Sequence, residues 1–134
     1  MLALIRRTPA FLSGYKEYCQ EFYDHTIIYF CPTNPERIDE TWFERTAGWY
    51  ANQELGLIPD QPVSFHYWAV DGDRFIGEFQ LRTELTEKIM TGIGSIGYSV
   101  RVTEQGKGLG TEILRQGLGI AREHSLEKSI VDHQ

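Results

Sequence analysis

The chain has 134 residues, 41% of them apolar and 13% aromatic, which is enough for one domain with its own core and excludes a disordered segment. Its 19 Asp and Glu against 13 Lys and Arg leave a net charge of -6, which sets it against nucleic-acid phosphates but not against amines. Two cysteines, Cys19 and Cys31, make neither a disulfide framework nor a zinc spacing, and no apolar run approaches the ~20 residues needed to cross a bilayer.

Residues 2–5 are apolar and suit a first strand. They are too few, and stand in the wrong order before Arg6 and Arg7, for a signal peptide. The expectation is therefore a cytoplasmic protein with no metal, no membrane and no nucleic acid. Pro9 suits the first turn of a helix, and Phe11, Tyr15, Tyr18 and Phe22 follow at helical spacing as a packing stripe. After a proline loop at 32–35, Asp39 is a good N-cap for a second helix. Phe43, Ala47 and Tyr50 share one of its faces, and Gly56 is placed to end it.

All five prolines fall at or before Pro62, and ten of thirteen glycines at or after Gly72. The second half thus reads differently from the first. Residues 65–70 and 74–81 are bulky and β-favouring around Asp71-Gly72-Asp73, which predicts a hairpin with a short Asp-Gly turn. A polar connection at 83–94 leads to a strand over 95–103, with Ile96, Tyr98, Val100 and Val102 on one face. A glycine-rich turn at 105–110 then opens a helix whose inward side carries Leu109, Ile113, Leu114, Gly117, Leu118 and Ala121. Ser129-Ile130-Val131 is expected to begin another strand.

Between a strand and a helix, Gln105-Gly106-Lys107-Gly108-Leu109-Gly110 is a setting for phosphate chemistry. A helix start offers unpaired N–H groups and a partial positive charge, and glycines let that backbone approach an anion. Lys107 adds a mobile positive charge. A tight turn with no ligand is the competing reading. Two familiar phosphate loops do not fit. Gly106-Lys107 is not followed by Ser or Thr, and the alternating glycines lack the dinucleotide spacing.

The segment resembles the acyl-CoA-binding signature of the GNAT acetyltransferase superfamily, Gln/Arg-x-x-Gly-x-Gly/Ala, with Gln105, Gly108 and Gly110 at the signature positions. Residues 97–101 before it and 110–114 after it are similar too, as is the early section, with two helices, a proline loop and residues 67–70 leading to 75–77. The likeness runs along nearly the whole chain, most specifically at 96–114. It implies an α/β fold in a single domain, 1–134. N-terminal helices would occupy 1–64, and a strand-rich acyl-CoA-binding core 65–134. The sheet would be mixed and mostly antiparallel, flanked by helices, without the family's final helix and strands.

It further implies acetyl-CoA as co-substrate and a small-molecule or peptide amine as acceptor. Val100 and Val102 would present backbone groups to the pantetheine arm. Gln105, Gly106, Lys107, Gly108, Leu109, Gly110 and Thr111 would form the pyrophosphate loop. Glu78 and Glu84 are the candidates for a general base, a solvated strand carboxylate being the alternative for each. No residue is assignable as the acid, and Tyr98 and His66 read as packing. Gln105 replaces the commoner Arg, Val102 stands where proline is frequent, and the chain stops as a fifth strand would begin. Two expectations follow from that stop. The chain should bind CoA better than it catalyses, and either the tail after about Lys128 is disordered or an exposed sheet edge pairs copies into a homo-oligomer. A non-catalytic CoA-binding or regulatory domain is the alternative function.

Overall fold

The computed structural model describes residues 1–25, 33–83 and 95–132. A first strand, β1 (Leu2–Arg6), leads through a short 3-10 turn, Pro9–Phe11, into helix α1 (Leu12–Asp24). Thr8 caps that turn, its hydroxyl accepting from Ala10 N at 3.4 Å. Leu12, Tyr15, Tyr18, Cys19 and Phe22 recur at three- and four-residue steps, so one face of α1 is buried along its length.

Helix α2 (Glu40–Glu54) begins where Asp39 accepts from Trp42 N at 2.8 Å. Its end is a Schellman closure. Gly56 turns left-handed at φ 70° and donates to Gln53 O, while Leu57 N reaches back to Asn52 O at 2.9 Å. Strands β2 (Val63–Asp71) and β3 (Arg74–Thr83) form the expected hairpin, turning through Gly72 at φ 61°. Strand β4 (Ser95–Val100), a 3-10 turn over Val102–Glu104 and helix α3 (Leu109–Asp132) complete the described chain.

The sheet order is β1-β2-β3-β4, and every pairing is antiparallel. Helices α1 and α2 cover one face, over Trp68, Val70 and Phe75; α3 covers the other, over Ala69, Ile76, Phe79 and Leu81. Two consecutive residues, Phe75 and Ile76, are both buried because helices cover both faces of the sheet, one residue facing each layer. The register steps from Ala69↔Gly77 to Val70↔Phe75, a bulge that leaves Ile76 as the extra residue.

Two strand expectations need correction. Residues 129–131 lie in helix α3 rather than in a strand. No glycine or proline separates them from the helix-favouring Leu126-Glu127-Lys128, and two β-branched residues, Ile130 and Val131, cannot override that context. An edge strand starting near Ser129 is therefore not available for pairing. Strand β4 also stops at Val100, and Val102 belongs to the 3-10 turn that follows.

Gly77 sets the closeness of β3 to β4. A Cβ there would collide with the backbone carbonyl oxygen of Ser99, which no rotamer change can move. Gly119, in α3, would place its Cβ in open space. Gly77→Ala is expected to lose about 2–3 kcal/mol by overpacking, whereas Gly119→Ala should gain up to about 1 kcal/mol from helix propensity. Urea unfolding of the two variants beside the parent reads both signs; a neutral Gly77→Ala would mean the strands are not this close.

Candidate active site

Three features meet around β4: the glycine loop at its end, its outer edge, and a cavity on the α1/α2 face. Arg101 fastens the strand end. Its N–H donates to Ile76 O at 2.8 Å, and its guanidinium reaches Phe75 O at 3.0 Å through Nη1 and Glu21 Oε2 at 2.9 Å through Nε. Thr103 donates to Glu21 Oε1 from its N–H and its hydroxyl, at 3.0 and 3.1 Å. Burial works to raise the Glu21 carboxyl, but the Arg101 and Thr103 hydrogen bonds outweigh it and hold the group below its ordinary range. The turn is thus tied to α1 before the loop begins.

Gly106 and Gly108 are left-handed at φ 81° and 79°, a conformation that favours glycine, and a Cβ on either would meet nothing within 4 Å. The loop therefore faces open space. Glu112 N donates to Gly108 O at 3.3 Å, so the N–H groups of Leu109, Gly110 and Thr111 precede the first intrahelical donor of α3. They stand at the positive end of the helix, where an anion gains most. Lys107 is less free than the sequence suggests. Its ammonium is held at 3.0 Å by Glu104, a buried carboxylate that also pairs with Arg74.

The pair Arg101–Ile76 fixes which way the β4 backbone points. In an antiparallel ladder the neighbours of a bonded pair turn outward, so Ile96, Tyr98 and Val100 present their N–H and C=O groups away from β3. Among the described residues no strand covers that edge. The Val100 carbonyl accepts from Gln105 Nε2 at 3.0 Å, which leaves the Val100 N–H as the open group nearest the loop. Val102 does not extend the edge, because its carbonyl closes the 3-10 turn by accepting from Gln105 N.

The register places Trp68, Glu78 and Ser99 in one row across β2, β3 and β4, and His66, Gln80 and Gly97 in the next. With Tyr15 and Tyr50 from the helices, the residues of these rows other than the buried Trp68 help line a cavity of about 510 Å³. Gly97, which has no side chain, leaves its floor open. Tyr18 OH donates to Glu78 Oε2 at 3.2 Å and is hydrogen-bonded to Ser99 Oγ. Glu78 opens on the cavity, but protein surrounds it on its other sides. Burial raises its carboxyl above the ordinary range, against the pull of Tyr18, Arg7 and the neighbouring Trp68 indole. Trp68 Nε1 itself makes no hydrogen bond of good geometry. Burial, then Glu78, holds the Tyr18 phenol well above 10, so it stays a donor.

His66 is the other titratable group on the wall. Burial, then Arg7, Arg82 and Arg6, pushes it down to about 4, so it is neutral at physiological pH. Its Nε2 lies 2.8 Å from Gln53 Oε1, and Gln53 Nε2 donates to Gln61 Oε1 at 3.3 Å, so Nε2 carries the proton and Nδ1 is the free acceptor. The structure therefore brings Glu78 together with Tyr18, Ser99 and His66, and sets the Gly106–Gly110 loop at the end of the same β4. Glu84 lies outside the described residues. Tyr18 and Ser99 were not visible as site residues; only the strand pairing, which a lone sequence does not print, aligns them with Glu78.

Among the described residues no group of three or more His, Cys, Asp or Glu could hold a metal ion. Among the same residues no helix is long and apolar enough to cross a membrane. Comparison with protein-family models, curated proteins and solved structures finds no match to this chain.

Proposed function

We propose that the chain is an acyl-CoA-binding domain of the GNAT type that transfers acetyl from acetyl-CoA to an amine. The observation that carries this reading is the pair of left-handed glycines, Gly106 and Gly108, at a helix start that continues directly from an open strand edge. A pyrophosphate would take the N–H groups of Leu109, Gly110 and Thr111, and an extended amide-containing arm would pair with the outward groups of Tyr98 and Val100. Acetyl-CoA supplies an activated acyl group. The Val100 N–H would polarise the acyl oxygen, and Glu78 would take a proton from an amine in the cavity as the amine nitrogen bonds the acyl carbon and CoA leaves as the thiolate. Tyr18 orients Glu78 and stays protonated while it does so.

CoA should stabilise the native chain by roughly 2.7 kcal/mol when present at about 100 times its dissociation constant. ATP and NAD share the phosphates but not the pantetheine arm, and should shift the melting temperature less. A melt that does not move with millimolar CoA, together with silent calorimetry, would remove the reading altogether.

A further inference from the structure

Arg7 is unusual in its surroundings. Its guanidinium carbon stands 3.7 Å from the Tyr50 ring centroid and 5.1 to 5.7 Å from those of Trp68, Phe43 and Trp42. Its Nη2 is buried and has no hydrogen-bond partner, and among the described residues no carboxylate pairs with it. Four rings offset part of the cost of burying a cation, but they accept none of its directed N–H bonds. The neighbouring Arg6 is different, because Glu54 neutralises it.

Arg7 lines a second cavity of about 230 Å³, between β1, β2 and α2. Tyr50 and His66 belong to the walls of both this cavity and the larger one that holds Glu78. Glu78 and Arg7 also border the same indole: Glu78 is the cross-strand partner of Trp68, and Arg7 packs on its ring. The two cavities thus share a wall, with the Glu78 carboxylate on one side of it and, on the other, a guanidinium that has no ion-pair partner among the described residues. His66, neutral between them, adds no charge of its own.

We propose that the acceptor is a small aminocarboxylate, an amino acid being the simplest, with its amine at Glu78 and its carboxylate on Arg7. The inference rests on the reading that this cavity takes the acceptor amine. A carboxylate is the group that matches the planar fork of a guanidinium, and Arg7 lines its cavity with no carboxylate of the described residues already paired to it. A purely cationic amine would leave Arg7 unpaired and be repelled by it. A purely anionic ligand would meet Glu78. Only a molecule with both charges suits both ends.

The test is a tryptophan-fluorescence titration of the intact chain, with and without saturating CoA, since Trp42 and Trp68 both border Arg7. The probes are amino acids, including ω-amino acids of increasing length, each beside its own carboxamide, at about pH 6, where both amines are protonated. Acids should bind about tenfold or more tighter than their amides. Arg7→Met should erase that preference, and Arg7→Lys, which keeps the charge but not the fork, should keep part of it. CoA affinity, measured separately by calorimetry, should be the same in all three proteins. Equal binding of acids and amides by the parent overturns the inference, as does a preference that survives in Arg7→Met or no binding by any probe. If Arg7→Met fails to fold, the comparison within the parent still decides. A parent that binds CoA but ignores the carboxylate sinks this inference alone; one that prefers acids but does not bind CoA sinks only the acetyl-transfer reading.

Discussion

Gly108→Asp is expected to weaken CoA binding by about 100-fold or more while the chain remains folded. The position has φ 79°, and a Cβ there meets nothing within 4 Å, so the side chain fits without a clash. The left-handed backbone costs an Asp about 1 kcal/mol, because Asp tolerates this region better than most residues. The larger effect is electrostatic. A carboxylate would sit at the helix start where a pyrophosphate would be held, and like charges brought together in a binding site cost several kcal/mol, at 1.4 kcal/mol for each factor of ten. Gly108→Asn separates the two contributions, since it has the same shape and the same backbone cost but no charge. Calorimetric titration with CoA should rank parent, then Asn, then Asp, with the gap between Asn and Asp shrinking as salt is raised. If Asp binds CoA as the parent does, the loop is a turn and nothing more.

The parts of the fold that show in the sequence are those set by local chemistry. Asp39 as a cap, Gly56 as a stop, the Asp71-Gly72 turn and the glycine loop each act within a few residues, so their neighbours suffice to identify them. The aromatic stripe of α1 is legible because its period is that of a helix. What stays hidden depends on register. Whether Glu78 faces water or the α1/α2 layer turns on the bulge at Ala69/Val70 and on its partners Trp68 and Ser99, which lie 10 and 21 positions away in the chain. Tyr18 is a packing residue by its period, and it packs; its hydroxyl also meets Glu78, 60 residues on. The strand expected at residues 129–131 misjudged three β-branched-rich positions that continue a long helix. Arg7 carried no signal, because a lone arginine after a strand is ordinarily solvated.

Glu78→Gln is expected to lower kcat/KM for the best amine by about 10²–10⁴, the usual contribution of a positioned base, and to leave CoA affinity unchanged. The glutamine keeps an oxygen able to accept from Tyr18 OH, so the shape of the site survives while its basicity does not. The pH profile supplies a second readout. Burial, as the largest cause, raises the Glu78 carboxyl, and the working form is the anion, so the acid limb of kcat/KM should lie above the ordinary carboxylate value of about 4.3. That limb should be missing from the variant. Stability should move the other way. A carboxyl whose folded pKa lies above its unfolded one contributes stability that is fully present below the unfolded pKa and is lost as pH rises through the folded pKa. At neutral pH the parent holds a half-buried anion that folding disfavours, and the glutamine does not. Glu78→Gln should therefore melt higher than the parent at pH 7, with the difference vanishing near pH 4. Thiol release across the pH range, paired with thermal melts of both proteins, reads the two effects together. A variant that keeps full turnover with its acid limb intact would show that the proton leaves by another group. One that loses turnover and also melts lower would show that Glu78 holds the fold rather than acting as a strained base within it.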